Sequence, residues 1–361
     1  MNRLYGLSCS GIKTPVAVNS SPRFSWKYEL DCGFQNGYEI TVKDGNEIVW
    51  ISGFIESNIS CHIPYEGLPL EPLTEYEWSV KISGTDGSTV TARDTFRTGF
   101  MGKAWTGRWI AACFHKKQDD ATDAPYIRKS FIVERNIASA YLHICSPGYH
   151  DAYINGIRVG DDLLATPYTA FDRTLFYITY DVTDLIKTGE NAFGSLIGTG
   201  WYNCFTKDVW NTPETSWRHI PKMMAEIHIE FSDGKKKSIV TDRSWKCEKS
   251  PIFFNGIRNG EYYDSRLEIA NWNKAGFDDS SWNPVKVVRA PGGVLKAMEI
   301  EPERVVKSWE SVSSWKTTED TWIFDAGVNM AGFSEITVNG IAGTEITIKY
   351  SERLKDDGVH I

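Results

Sequence analysis

Residues 260–266 read GEYYDSR and place two carboxylates, Glu261 and Asp264, three positions apart among aromatic side chains. Two such acids could serve as the general acid and base that cleave a glycosidic bond, which inverting enzymes hold about 6.5–9.5 Å apart. Alternation along a strand turns Glu261 and Asp264 to opposite faces and places Arg266 on the face of Asp264. The spacing therefore favours a structural ion pair between Asp264 and Arg266 over a catalytic pair, with a role at the edge of a sugar site as the alternative.

A second acidic motif lies in RVGDDLLATPYTAFDR, where Asp161 and Asp162 are adjacent after a predicted hairpin. Loop carboxylates with nearby backbone carbonyls suit calcium, a hard ion that prefers oxygen ligands. The same pair fits a solvated acidic turn, so both interpretations stay open. No nucleotide-binding or phosphate-binding fingerprint occurs in the sequence, so we expect no organic cofactor.

The stretch GTGWYNCFTKDVWNTPETSW combines aromatic and hydrogen-bonding side chains in a segment with little strand pattern. An aromatic face can stack on the apolar side of a pyranose ring while an amide or a carboxylate binds its hydroxyls. Long loops on rigid scaffolds often carry binding residues, although a core tryptophan with an irregular loop fits equally well. The candidates for sugar contact are Trp201, Tyr202, Asn203, Asp208 and Trp210.

The 361-residue chain carries 39 Lys and Arg against 47 Asp and Glu, a net charge of −8. Nucleic acid is not an expected partner, because phosphate neutralisation needs clustered basic side chains and the one basic run, 235–237, follows a turn. No apolar run is long enough to span a bilayer, and the N-terminus lacks the apolar core of a signal peptide. Seven widely spaced cysteines without a Cys-x-x-Cys motif favour reduced thiols, so we expect a cytoplasmic location.

The elements that must position these residues are β-strands, since period-two patterns dominate and amphipathic helices are lacking. Ahead of a Gly-Thr-Asp-Gly turn, apolar residues alternate with polar ones and predict a hairpin whose buried face carries Tyr76, Trp78, Val80 and Ile82. This segment resembles the last strands of a fibronectin type III module, and the resemblance covers residues 1–100. It is specific for a β-sandwich fold and implies no chemistry.

Residues 101–299 contain many short, evenly spaced strand patterns and favour a jelly-roll β-sandwich. Within them, Asn155-Gly156 predicts a two-residue type I′ hairpin. Residues 300–361 begin another β-rich unit, in which Ile346, Ile348 and Tyr350 alternate with polar residues. We expect this last unit to be the start of a third β-sandwich that is incomplete at Ile361.

From residue 104 onward the chain resembles bacterial α-L-rhamnosidases of glycoside hydrolase family 78. The order and spacing of nine segments carry the resemblance: WTGRWI, APYIRKSF, YINGIRVG, YITYDVTDLI, GENAFGSLIGTGWY, TDRSWK, NGEYYDSR, WNPV and IFDAGVNMAGFSEITVNGIAGTEITIKYSERLKDDG. The resemblance implies β-sandwich domains ahead of a catalytic (α/α)6 barrel that works by inversion. It also implies a rhamnose-binding jelly-roll module with a calcium ion, for which Asp161 and Asp162 are the candidates.

Repeated amphipathic helical hairpins are absent from the sequence, so we expect neither the catalytic barrel nor its acids in this chain. The stretch with Glu261, Asp264 and Arg266 then serves as a structural signature of the family. We expect the N-terminal part of an α-L-rhamnosidase, which would bind or position rhamnose-containing glycosides or polysaccharides, support a missing C-terminal catalytic domain and be inactive by itself. The alternative is a stand-alone carbohydrate-binding or structural protein. An incomplete third domain would expose a strand edge, so a homo-oligomer is a further expectation.

Overall fold

A computed structural model describes residues 2–19, 21–207, 209–341 and 343–355. These residues form β-strands and short 3-10 helices, with no α-helix among them; the 3-10 helices are Gln118–Asp120, Thr183–Leu185, Thr212–Glu214 and Ser265–Leu267. The predicted all-β fold is confirmed, and the described part of the chain contains no helical barrel. No helix in these ranges is long and apolar enough to cross a membrane. The chain divides into two compact units, Met1–Glu303 and Arg304–Ile361.

The first unit opens with a β-sandwich. Its strands are β1 (Arg3–Cys9), β2 (Arg23–Glu29), β3 (Gln35–Asp44), β4 (Glu47–Ile51), β5 (Ile55–Glu56), β6 (Ile63–Pro64), β7 (Glu75–Gly84) and β8 (Thr89–Arg97). One sheet has the order β1-β2-β6 and the other the order β4-β3-β7-β8, with β5 paired to β3. The four apolar residues predicted to face inward on β7 are all buried. Trp78 packs against Phe24 of the opposite sheet with ring centroids 4.5 Å apart, so the two sheets share one core.

A larger β-sandwich follows in the same unit. Its strands are β9 (Ile110–Ala111), β10 (Tyr126–Val133), β11 (Ile137–Cys145), β12 (His150–Ile154), β13 (Ile157–Arg158), β14 (Thr174–Asp181), β15 (Gly189–Ile197), β16 (Met224–Phe231), β17 (Lys236–Val240), β18 (Lys246–Glu248), β19 (Ile252–Gly256), β20 (Gly260–Tyr263), β21 (Asn283–Pro284), β22 (Lys286–Val287) and β23 (Val294–Ala297). A six-stranded sheet has the order β13-β12-β15-β10-β18-β21, and a five-stranded sheet the order β17-β16-β11-β14-β23. β19 pairs with β20, and β9 with β22.

Apolar side chains from both sheets meet in one core, where Ile127 and Phe193 of the six-stranded sheet lie with Leu142 and Ile227 of the five-stranded sheet. The type I′ turn predicted at Asn155-Gly156 is confirmed. Ile154 pairs with Ile157, and both loop residues have positive φ, 52° and 87°. That backbone geometry matches the right-handed twist of the strands it joins and favours Asn-Gly.

A buried arginine organises the irregular segment that follows β20. Arg128 lies in the middle of β10 and is fully buried. Its Nε donates to the Trp272 carbonyl at 2.8 Å and its Nη2 to the Lys274 carbonyl at 2.9 Å, while its Nη1 pairs with the Asp279 carboxylate. Because a buried guanidinium must have partners for its donors, this one side chain fixes the path of residues 272–279 across the sheet.

The five-stranded sheet is covered on its outer face as well. Leu175, Tyr177 and Met224 of that face pack with Phe100 of the inter-sandwich segment and with Tyr202 of the long loop between β15 and β16. A sheet buried on both faces leaves little freedom to the segments that cover it. The loop that holds the predicted sugar-binding residues is therefore seated on a rigid support.

A buried carboxylate ties the segment between the two sandwiches to the second one. Glu226 of β16 accepts hydrogen bonds from the backbone N–H groups of Thr106 and Gly107 at 2.5 and 2.7 Å, and its other oxygen accepts from His228 Nε2 at 2.7 Å. Burial alone would raise the pKa of Glu226, but these donors outweigh it and hold the pKa below its ordinary value. The ionised carboxylate thus acts as a clamp on the segment.

Two further contacts join the sandwiches. The Phe100 N–H donates to the Tyr177 hydroxyl at 2.9 Å. Gly99 lies so close to that hydroxyl that a Cβ there would come within 2.2 Å of it, so this approach requires glycine. Asn19 donates to both carboxylate oxygens of Glu299, at 2.8 and 2.7 Å. Residues far apart in sequence therefore hold the two sandwiches together.

The second compact unit contains a hairpin of β24 (Ser313–Thr318) and β25 (Thr321–Asp325), in which Trp315 pairs with Ile323. The alternating stretch around Ile346, Ile348 and Tyr350 forms no strand in residues 343–355, and all three side chains are exposed. A period-two pattern becomes a strand when a partner supplies the ladder hydrogen bonds, and no pairing is described for this stretch. Residues 356–361 of the predicted third unit lie outside the described residues.

From the hydrogen bonds of the Glu226 clamp we predict a specific loss of stability. Glu226→Ala leaves two backbone N–H groups without their acceptor, and we expect the free energy of unfolding at pH 7 to fall by about 2–4 kcal/mol. Because the folded pKa of Glu226 is lowered, its contribution is present above the ordinary carboxyl pKa and disappears as the pH falls below it. Urea denaturation at several pH values should therefore show the gap between variant and parent closing in acid. Glu230→Ala, on the same strand but in an exposed pair with Lys236, is the matched control and should change stability by less than about 1 kcal/mol.

Candidate functional site

Two tryptophans and an arginine form a surface at the loop between β15 and β16, here called the Trp–Arg surface (Trp201, Trp210 and Arg258). The Arg258 guanidinium carbon lies 5.5 Å from the ring centre of Trp201 and 5.0 Å from that of Trp210. The Trp210 side chain is 69% exposed. Cation–π contact with both rings holds the guanidinium next to accessible aromatic surface. Such a combination places aromatic stacking area next to a positive charge.

The hairpin β19–β20 carries Arg258 at its tip, between Gly256 and Gly260, which pair with each other. Asn255 anchors this hairpin, since its Nδ2 donates to the Thr122 carbonyl at 2.8 Å and its Oδ1 accepts from the Thr199 N–H at 2.9 Å. These bonds tie the hairpin to the start of the loop that holds Trp201. The separation of Trp201 and Arg258 is thereby fixed by the backbone and does not depend on the two side chains alone.

A cluster of further aromatic rings packs against Trp201. Its ring centre is 5.5 Å from that of Tyr168, which also contacts Phe171 and Trp217 at 5.9 and 6.3 Å. All of these contacts are edge-to-face, the arrangement that aromatic quadrupoles prefer. Arg258 and Tyr168 are not among the candidates that the sequence pattern predicts. Both residues are too distant in sequence from Trp201 for a local pattern to link them to it. The nearby glycine or proline indicates only that each lies in an irregular segment.

Two of the predicted sugar-contact residues are interior. Tyr202 is buried against Phe171, with ring centres 5.4 Å apart. Asn203 is also buried, and its Nδ2 donates to the carbonyls of Gln118 and Ala121 at 2.8 and 3.1 Å. Both were candidates for sugar contact in an irregular loop, but this loop packs on the outer face of the five-stranded sheet. Both side chains therefore hold the loop in place, while Asp208 lies outside the described residues.

The adjacent aspartates, Asp161 and Asp162, differ in their burial. Asp161 is exposed, whereas Asp162 is buried. The Tyr180 hydroxyl donates to Asp162 Oδ2 at 2.5 Å, and Arg158 Nη2 donates to the Asp162 carbonyl and to the Asp151 carboxylate. Burial and the neighbouring Asp162 raise the pKa of Tyr180, so its hydroxyl keeps the proton that it donates. The Asp162 carboxylate thus belongs to a structural network at the end of β13.

A calcium ion held by both aspartates would share the buried Asp162 carboxylate with the Tyr180 hydroxyl. No group of three or more His, Cys, Asp or Glu side chains in the described ranges is placed to hold a metal ion. The calcium assignment of Asp161 and Asp162 stays a prediction, and nothing in the proposed function depends on it.

The acids of GEYYDSR lie in different surroundings. Glu261 is in β20 opposite Asn255, and partial burial together with the charge of Asp151 raises its pKa. Asp264 follows the strand and begins the 3-10 helix Ser265–Leu267, where it accepts from the Arg266 N–H at 3.0 Å and from the Arg266 guanidinium at 2.8 and 2.5 Å. These bonds lower the pKa of Asp264 to about 2. The predicted ion pair exists, but a turn creates it, where strand alternation was expected to do so.

The fold and its surface define a multidomain β-sandwich protein, and comparison with known proteins narrows this class. Residues 4–102 match the model described as a Rha78A-like N-terminal immunoglobulin domain. Residues 135–307 match the α-L-rhamnosidase N-terminal domain, and residues 315–360 match the bacterial α-L-rhamnosidase concanavalin-like domain. The chain therefore belongs to the bacterial α-L-rhamnosidase family, of which it represents the N-terminal β-domains. The fibronectin type III label for residues 1–100 stays a prediction, since the matched model describes an immunoglobulin domain.

Individual relatives agree with this assignment. An α-L-rhamnosidase of Formosa agariphila is 31% identical over 374 residues, which cover 96% of this chain and 39% of the relative. The structure of an α-L-rhamnosidase from Dictyoglumus thermophilum is similar with a TM-score of 0.80 at 30% identity, over 90% of this chain and 38% of that one. The native α-L-rhamnosidase of Aspergillus terreus gives a TM-score of 0.81 at 28% identity, over 91% of this chain and 39% of that one. The chain thus spans about 40% of the length of the curated relatives.

A buried histidine beside Asp162 predicts acid sensitivity. His150 is buried, and in the described structure neither ring nitrogen has a hydrogen-bond partner. Burial lowers its pKa to about 4, although Asp162 and Asp151 oppose the shift. Because the folded state resists protonation, stability is full above the unfolded pKa of about 6.5 and declines as the pH falls towards 4.

We expect this histidine to remove about 2 kcal/mol from the free energy of unfolding between pH 7 and pH 5. His150→Leu, which sacrifices no hydrogen bond, should flatten the profile measured by urea denaturation over that range. His62→Asn, at an exposed histidine, is the control and should leave the slope unchanged. A His150→Leu profile as steep as that of the parent would show that other groups dominate.

Proposed function

We propose that this chain is the substrate-positioning N-terminal part of an α-L-rhamnosidase, and that the whole protein hydrolyses terminal α-L-rhamnosyl groups with inversion. The relatives carry the name α-L-rhamnosidase and are about 2.5 times as long as the aligned segment. Described residues contain no helical barrel, and the Asp264 carboxylate of GEYYDSR is engaged in an ion pair with Arg266. Hydrolysis is accordingly assigned to residues outside this chain, and binding to the second β-sandwich within it.

The observation that carries the binding proposal is the Trp–Arg surface. Trp210 offers an accessible ring, and the Arg258 guanidinium lies beside it. A deoxysugar such as rhamnose has a methyl group and axial C–H bonds that favour an aromatic face, while its hydroxyls favour a donor such as guanidinium. The hairpin anchored by Asn255 and the buried Tyr202 and Asn203 preorganise this surface, which lowers the entropy that binding must overcome.

Titration calorimetry with L-rhamnose tests the binding proposal. We expect heat of binding from the parent chain and an affinity lower by about tenfold for Trp210→Ala, since loss of one stacking ring costs roughly 1–1.5 kcal/mol. Trp322→Ala removes an exposed tryptophan of the second compact unit and should leave the affinity unchanged. Absence of heat at millimolar sugar would contradict the proposal and favour a purely structural role. Repeating the titration with a chelator and with Asp161→Ala tests the calcium prediction separately.

Hydrolysis has its own test. The purified chain is expected to release no phenol from an aryl α-L-rhamnoside, because the proposal assigns the acid and the base of hydrolysis to residues outside it. Enzyme-free buffer and the Trp210→Ala variant set the background. Turnover that follows the chain through successive purification steps would overturn the assignment of catalysis to residues outside it, without affecting the calorimetric result.

A further inference from the structure

Two of the seven cysteines are neighbours in space although they are far apart in sequence. The Sγ atoms of Cys113 and Cys247 lie 3.8 Å apart. Both thiols are reduced in the structure, as are those of the other cysteines. Neither residue belongs to the Trp–Arg surface, to the Glu226 clamp or to the Asp162 network. The function proposed above therefore leaves this pair unexplained.

Strand pairing brings the two thiols together. Cys247 lies in β18 and pairs with Asn283 of β21. Cys113 follows β9, which pairs with β22 through Ala111 and Lys286. β21 and β22 are separated by the single residue Val285, whose N–H donates to the Trp245 carbonyl at 3.1 Å. The backbone around both cysteines is thus held on one short segment, and their proximity is a property of the fold.

The surroundings suit thiol chemistry. A disulfide needs its sulfurs about 2.05 Å apart, so the two Sγ atoms must approach by less than about 2 Å, a movement within reach of χ1 rotation. Cys113 is partly exposed and accessible to a small oxidant, whereas Cys247 is buried. The Lys286 ammonium group interacts electrostatically with both thiols.

We propose that Cys113 and Cys247 form a reversible redox site that closes to a disulfide in the presence of a peroxide. The Cys113 thiolate attacks one peroxide oxygen, the O–O bond breaks, and Cys113 becomes a sulfenic acid while the released hydroxide takes a proton to form water. The Cys247 thiol then loses its proton and attacks Cys113 Sγ, the S–O bond breaks, and a second water leaves. Two thiols are oxidised to a disulfide and one hydrogen peroxide is reduced to two waters.

Order of attack follows from the burial of the two groups. Burial raises the pKa of Cys247 to about 12, so little Cys247 thiolate exists near neutral pH. Cys113 is therefore the first residue oxidised, and Cys247 resolves the sulfenic acid. The disulfide would close a loop between residues 113 and 247, and a loop of that length strongly restricts the unfolded chain. Oxidation is expected to raise the Tm of the first compact unit by roughly 5–15 °C.

Peptide mapping of the full chain after brief exposure to hydrogen peroxide tests this proposal. Alkylation followed by non-reducing digestion should recover one cross-linked peptide that contains Cys113 and Cys247, and dithiothreitol should release it. Calorimetric scanning of the same samples should show the rise in Tm before reduction and its loss afterwards. Cys113→Ser, at the partly exposed position, should abolish both effects without disturbing the buried Cys247.

Cys32→Ser removes an exposed thiol elsewhere and is the matched control, which should behave as the parent does. The proposal is overturned if Cys113 is oxidised beyond the sulfenic acid without a cross-link, or if the cross-link joins another pair. A cross-link that forms without a change in Tm would contradict the stabilising effect of the loop. The parent chain supplies these readouts by itself, so a variant that fails to fold does not affect the result.

Discussion

Irregular backbone inside an all-β protein must find hydrogen-bond partners outside the sheet ladders, and in this chain buried charged side chains supply them. The Arg128 guanidinium donates hydrogen bonds to two carbonyls of the segment after β20. The Glu226 carboxylate accepts hydrogen bonds from two N–H groups of the segment between the sandwiches. Each charge is costly to bury and is stabilised by several partners at once. The remaining architecture depends on these hydrogen bonds between buried charges and irregular backbone, because both segments lie against the sheets that form the core.

At the Trp–Arg surface, buried hydrogen bonds also fix the positions of exposed side chains. Its tryptophans lie on a loop seated by the buried Tyr202 and Asn203, and its arginine lies on a hairpin tied down by Asn255. Two segments distant in sequence thus converge on one patch, although hydrogen bonds within either of them would not bring them together. A surface built in this way is rigid before a ligand arrives, which suits recognition of a small sugar better than an unsupported loop would.

Local patterns in the sequence predicted much of the scaffold. Alternation identified the buried face of β7, and Asn155-Gly156 identified a hairpin turn, because both depend on neighbours within a few residues. Burial of Tyr202 and Asn203 was not predictable, since it depends on a sheet face formed by other strands. Asp162 differs from Asp161 for the same reason, as its partner Tyr180 comes from β14. The stretch around Ile346 shows the converse, an alternating pattern without a described strand partner.

The contact between Asn19 and Glu299 constrains the order in which the protein can fold during its synthesis. These residues are 280 positions apart, and a ribosome adding about 5–20 residues per second needs roughly 15–55 s to cover that distance. The first sandwich can complete its own sheets in that interval, and contacts such as that of Phe100 with Tyr177 can form earlier, but the contact of Asn19 awaits the emergence of Glu299. During translation the nascent chain therefore carries a finished domain beside an unfinished one, and the contact of Asn19 with Glu299 is among the last of the first unit to form.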